Sequence, residues 1–328
     1  MRASKAGAAA ALGRGDSDTT PPDADTTPPD ADATPTDPGP STPTTVVRTV
    51  RELDEMLDVF EVAAAVSDDA RREAFARYRL ELEVDMPPDP YTDAYREKVF
   101  ELYEWLHGQA YDPSNEATPF DVDTAADVPF PYATQSGPTV GNHLIAIGHV
   151  IRTLALPPGS RVLEFGSGWG NTTLALARMG HHVTAIDIEP NFVELVRTRA
   201  QRAHASLEVL HGDFSAVEHL DESFDAVLFF ECFHHCADHL RLLASLDRVV
   251  APGGRILFAA EPITDDIPYP WGLGLDGESL WAIRLNGWLE LGFREQYFLA
   301  TLERFGWTAE KVVCSETPWG VIFVARRR

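Results

Sequence analysis

The sequence predicts an α/β protein built on a doubly wound parallel sheet. From Arg161 onward, short and nearly continuous apolar runs (RVLEF, HVTAIDI, LEVLHGDF, FDAVLFF, GRILFAA) alternate with segments of helix length. That is the pattern of strands buried on both faces by crossover helices. The first run also opens straight into three glycines at alternate positions, Gly166, Gly168 and Gly170, ahead of residues that can start a helix. In open α/β sheets such a turn lies at the carboxyl end of the first strand, where backbone approaches a ligand and the next helix offers its N-terminus. A hydrophobic content of 44%, with 10% aromatics, supplies enough apolar surface for a core.

Taken in order, residues 1–45 read as a solvated, disordered tail. The unit DTTPPDA repeats there with almost nothing to bury, so ordering it has no compensating gain. Residues 46–129 form a helical N-terminal region, a lid or substrate side. Apolar residues recur three and four apart at Leu53, Met56, Leu57 and Phe60, and further helices fit 69–82 and 91–106 on either side of the breaker DMPPDP. Residues 130–328 form the α/β domain: a helix over about 140–154, the alternating strands and helices, and an aromatic-rich insertion at about 264–300. The formal charge of −24, from 51 acidic against 27 basic residues, argues against nucleic acid or an anionic membrane as partner. No run is apolar enough for a membrane span, and three cysteines make no disulfide framework, so a cytoplasmic protein is expected.

The glycine turn distinguishes two ligand classes. A dinucleotide site favours G-x-G-x-x-G, whereas this chain has E-x-G-x-G-x-G from Glu164 to Gly170. With that motif, over about 130–263, the chain resembles the class I S-adenosylmethionine-dependent methyltransferases. The resemblance implies a Rossmann-like sheet and S-adenosylmethionine as cofactor. It implies that Glu164 serves the ammonium group while Gly166, Gly168 and Gly170 approach the methionine portion. Asp187, ending the second strand, would accept from the ribose hydroxyls beside Ile188, and Asp213 would accept from the adenine amino group beside Phe214. Tyr132, with Gln135, Asn142 and His143, lies where such proteins cover the cofactor. A dinucleotide-dependent oxidoreductase and a non-catalytic cofactor-binding scaffold are the alternatives.

After the fourth strand, ECFHHCADH gathers Glu231, His234 and His235 where the family places residues facing donor and acceptor. One histidine is expected to act as general base for a hydroxyl acceptor, with Glu231 next in line. No spaced Cys or His pair elsewhere completes a zinc site, so no metal ligand set is assigned; a divalent cation gathered partly by substrate stays open. Five of the seven tryptophans lie beyond residue 270. Trp271, Trp281, Trp288, Trp307 and Trp319 could stack on a sugar or form a subdomain core. The expected acceptor is a small polar molecule, a sugar or glycan end or a natural product, and the sequence leaves the oligomeric state open.

Overall fold

The computed structural model describes residues 45–117, 120–128 and 136–328. The tail predicted over 1–45 therefore lies outside the described residues except for Thr45, as do Tyr132 and Gln135.

The N-terminal region begins with β1 (Thr45–Val47), followed by α1 (Val50–Ala64) and α2 (Asp68–Phe75). Thr49 and Glu52 form a reciprocal capping box that starts α1, which buries Leu53, Met56 and Phe60. The helix expected over 69–82 stops at Phe75, and β2 (Tyr78–Leu80) instead pairs parallel with β1. Leu80 also donates its backbone N–H to Leu275 O at 2.8 Å, so tertiary pairing overrides helix propensity there. α3 (Asp93–His107) is capped by the Thr92 side chain and ends at Gly108, whose φ of 90° is the left-handed stop. α4 (Val122–Asp127) and α5 (Gly137–Leu154) complete the approach to the sheet.

The sheet then forms in alternation: β3 (Arg161–Phe165), α6 (Asn171–Arg178), β4 (His182–Asp187), α7 (Pro190–Arg202), β5 (Glu208–His211), β6 (Phe224–Phe230), α8 (His239–Val249) and β7 (Val250–Ala259). The insertion carries β8 (Trp271–Leu273), α9 (Gly277–Trp281), β9 (Leu291–Phe293) and α10 (Glu295–Arg304), and β10 (Trp307–Val313) and β11 (Val321–Arg327) return to the sheet. The 7-stranded order is β10-β11-β7-β6-β3-β4-β5. The pairs within β5-β4-β3-β6-β7 are parallel, and β11 runs antiparallel between β7 and β10. Strand order reverses between β3 and β6, the switch point at which such sheets hold ligands. The expected α/β class, with its helical region and insertion, is the observed one.

The described residues fall in one compact unit, and the N-terminal helices share a core with the insertion. Tyr95 donates to Trp271 O at 2.7 Å, Tyr103 to Gly287 O at 2.5 Å, and Arg284 pairs with Asp54 at 2.9 Å. This packing settles two tryptophans. Trp271 is 2% exposed with its indole N–H donated to Pro90 O, and Trp307 is fully buried under the Arg327 guanidinium. Both are core residues, and neither presents a face to a sugar.

His239 sits in the same core, 2% exposed, with Nε2 3.0 Å from Tyr297 Oη. Burial pushes its pKa down to about 3. The unfolded chain takes up this proton near pH ~6.5, so the contribution is complete above that pH and is lost as pH falls toward 3, at up to about 1.4 kcal/mol per unit. Urea unfolding at neutral and mildly acidic pH is expected to show a shallower acid loss in His239→Phe than in wild type.

Candidate active site

Each parallel strand delivers a carboxylate at or near its C-terminal end: Glu164 in β3, Asp187 ending β4, Asp213 just beyond β5, Glu231 after β6 and Glu261 after β7. Between them lies a cavity of about 350 Å³, a volume suited to a small-molecule ligand. Its lining includes Gly166, Gly168, Asp187, Ile188, Asp213 and Phe214 from the ends of β3, β4 and β5. It also includes Tyr111, Glu116, Glu231, His235 and Trp288.

The glycines of the turn have different structural reasons. All have positive φ, at 62°, 47° and 73° for Gly166, Gly168 and Gly170. A Cβ on Gly168 would meet nothing within 4 Å, so this backbone faces open space and its N–H donates to Asp187 Oδ2 at 2.7 Å. A Cβ on Gly166 would lie 2.5 Å from Cys232 Cβ, which allows β3 and the β6 loop to approach closely. Gly170 does not line the cavity. Its Cβ would lie 2.6 Å from Val196 Cγ2, so the sequence expectation that it faces ligand is corrected: it lets α6 pack against α7. Gly170→Ala combines that clash with left-handed backbone, and denaturant unfolding is expected to show a loss of ~1–3 kcal/mol.

Asp187 is 5% exposed and already accepts from Gly168 N, Ser167 Oγ and Glu189 N, so it shapes the turn as well as lining the cavity. Burial raises its pKa. Glu189, which the sequence reading did not single out, is 3% exposed beside it and leaves Oε2 without a hydrogen-bond partner. Glu164 does not reach the cavity lining either: it is 3% exposed, accepts from Thr173 Oγ1 at 2.6 Å, and has its pKa pushed up to about 8 by burial. Its place here is beneath the turn, holding α6 to β3. Phe165, Ile186 and Phe192 add apolar wall.

The open backbone at Gly168, the orphaned Glu189 oxygen and the apolar walls suit a ligand with a hydroxylated ribose, an aromatic ring and a cationic end. S-adenosylmethionine has all three, and its positive charge suits an acidic rim better than a pyrophosphate would.

The loop after β6 is built around Glu261. Its Oε1 accepts from Cys232 N and Phe233 N at 3.0 and 2.9 Å, and its Oε2 accepts from His234 N and His234 Nδ1 at 3.1 and 2.7 Å. His234 Nε2 lies 3.5 Å from Glu290 Oε2. Burial opposes the charge on this ring, but Glu261, Glu290 and Glu231 outweigh it and push the pKa up to about 9. The surrounding carboxylates thus favour the protonated ring over the free base that the sequence led one to expect at His234. His235 donates Nδ1–H to Leu289 O at 2.8 Å, and burial with the neighbouring His234 charge pushes its pKa well down, so it stays neutral but weakly basic.

Glu231 has the left-handed φ of 52°, which turns its carboxylate off the end of β6. The side chain is 37% exposed, lines the cavity and lies 3.8 Å from His143 Nε2. Burial of its surroundings raises its pKa to about 7. Strained backbone at a cavity-facing acid is a recurrent mark of functional sites. Glu116, Glu261 and Glu290 escaped the sequence reading, since they stand in unrelated segments that only the fold brings together.

Residues 163–258 match the family model described as a methyltransferase domain. Over 107 residues the chain is 34% identical to a demethylmenaquinone methyltransferase of Tropheryma whipplei, covering 32% of this chain and 44% of that protein. Over 118 residues it is 33% identical to a ubiquinone biosynthesis O-methyltransferase of Xanthomonas campestris, covering 35% and 48%. An S-adenosylmethionine-dependent methyltransferase structure from Mesorhizobium loti superposes at a TM-score of 0.44 and 20% identity, covering 56% of this chain and 98% of that one. The chain thus spans less than half the length of these curated relatives. No described helix is long and apolar enough to cross a membrane. Residues 163–258 thus match a methyltransferase domain, and the strand order and glycine turn agree with the resemblance to the S-adenosylmethionine-dependent class I enzymes.

Proposed function

We propose that the protein transfers a methyl group from S-adenosylmethionine to a hydroxyl oxygen of a small polar acceptor, a sugar or glycan end or a natural product. The observation that carries this is that one cavity is lined both by Gly166, Asp187 and Asp213 and by Glu231, His235 and Trp288. When bound, the cofactor supplies an activated methyl on a sulfonium that leaves as a neutral thioether. The chain's own work is to hold the ribose at Asp187 and Glu189, the adenine between Ile188 and Phe214 with Asp213 at its edge, and the acceptor against Trp288 and Tyr111. The acceptor oxygen gains the methyl and gives up its proton to Glu231, whose pKa lies in the operating range where His234 and His235 do not.

Of the C-terminal tryptophans, Trp288 lines this cavity, so any stacking on a sugar face rests on it and Tyr111. Calorimetric titration with S-adenosylmethionine and its demethylated product is expected to give saturable 1:1 binding. Asp187→Ala should weaken it by ~10- to 100-fold, since charged hydrogen bonds and the turn they shape are both lost. Radiolabelled methyl transfer to a panel of hydroxyl and amine acceptors then tests the oxygen assignment: labelling of amines alone would overturn it.

A further inference from the structure

We infer that His234, His235 and Glu290 form a binding site for a first-row divalent metal ion beside the cavity, which His235 alone of the three lines. Each offers one ligand atom, and these atoms lie within 4.8 Å of one another. The two imidazoles are arranged as metal-binding histidines usually are, each donating its other ring N–H to a fixed acceptor. His234 gives Nδ1–H to the Glu261 carboxylate at 2.7 Å, and His235 gives Nδ1–H to Leu289 O at 2.8 Å. Both Nε2 atoms are thereby left as the coordinating ones; His234 Nε2 lies 3.5 Å from Glu290 Oε2, and the ion would displace the proton that this nitrogen carries in the charged ring. Glu116 stands outside this ligand set: its Oε2 lies 3.3 Å from His235 Nδ1, on the side of the ring away from Nε2, while Oε1 is held by Leu289 N and Tyr111 Oη.

The site is assembled from distant segments: the loop after β6 supplies both histidines, and the insertion supplies Glu290 just before β9. This is why the sequence showed no second pair of ligands near ECFHHCADH. Two nitrogens and one carboxylate suit manganese, cobalt, iron or zinc better than magnesium or calcium, which prefer all-oxygen shells. Three protein ligands also leave coordination positions open. His235 lines the cavity beside Trp288, so an open position faces the space assigned to the acceptor. There the ion would take an acceptor oxygen as ligand and lower the pKa of its hydroxyl, with the proton passing to Glu231. This last role rests on the methyl-transfer reading, whereas the metal site itself does not.

Cobalt(II) is the direct probe, because its visible absorption reports nitrogen coordination without any assay of turnover. Tag-free full-length protein, freed of metal by chelator, is expected to bind one cobalt ion and develop a saturable visible spectrum. His235→Ala and Glu290→Gln should each weaken that binding by at least ~100-fold, while S-adenosylmethionine affinity measured on the same samples shows that the variants are folded. No spectrum up to millimolar cobalt, or equal binding by both variants, would overturn the site. Loss of cofactor binding in wild-type protein would count against the methyltransferase reading and leave the metal result to stand on its own.

Discussion

Glu231→Gln is expected to lower turnover by ~100-fold or more while cofactor affinity stays within a few-fold of wild type, because general-base catalysis contributes that much and the substitution keeps size and shape. The carboxylate sits on a left-handed residue that aims it into the cavity, next to the space left for the acceptor. Its pKa is raised to about 7, chiefly by burial of its surroundings. A raised carboxyl pKa means that the group is protonated, and unable to accept, on the acid side of neutrality. The wild-type rate should therefore climb through pH ~7 and level off above it, and the residual rate of the glutamine variant should lack that rise. A fully active Glu231→Gln, or a flat wild-type profile across the neutral range, would give the proton to another group.

Glu261→Ala is expected to cost ~3–5 kcal/mol of stability, the largest single-residue loss expected here. The alanine would strand three consecutive backbone N–H groups and the His234 ring N–H, all of which now end on this one carboxylate. A buried donor without an acceptor bears its full desolvation cost, so the loss exceeds the sum of ordinary net hydrogen bonds. Glu261→Gln keeps one acceptor oxygen and should retain part of the stability. Urea unfolding of the two variants measures both, and equal, sub-kilocalorie losses would show that solvent or a loop shift satisfies those donors.

The parallel sheet and the glycine turn were legible in the sequence because both follow from local rules. Strands buried on two faces must be apolar throughout, and a turn with successive positive φ values must be glycine. Asp187, Ile188, Asp213 and Phe214 were legible for the same reason, since strand ends at a known edge of the sheet fix where they stand. Glu116, Glu261 and Glu290 were not, because their meaning lies in a histidine loop far away in the chain. Roles also shifted where packing took over. Gly170 is claimed by Val196, Glu164 by Thr173, and Trp271 and Trp307 by the core that the N-terminal helices share with the insertion. The helix predicted through residue 82 ended early because residues 78–80 found a partner strand in β1.

The placement of β11 dictates an order of assembly. It lies between β7 and β10, with Ile322 opposite Ala259, so the sheet interior is completed by a strand that follows the whole insertion in sequence. During synthesis, β7 must wait with one edge uncovered until more than fifty further residues have emerged, a separation that makes this pairing slow to find. Uncovered strand edges invite pairing with other chains. A nascent chain paused between β7 and β11 thus carries an unpaired β7 edge, and the speed of synthesis over that interval sets how long the edge is exposed.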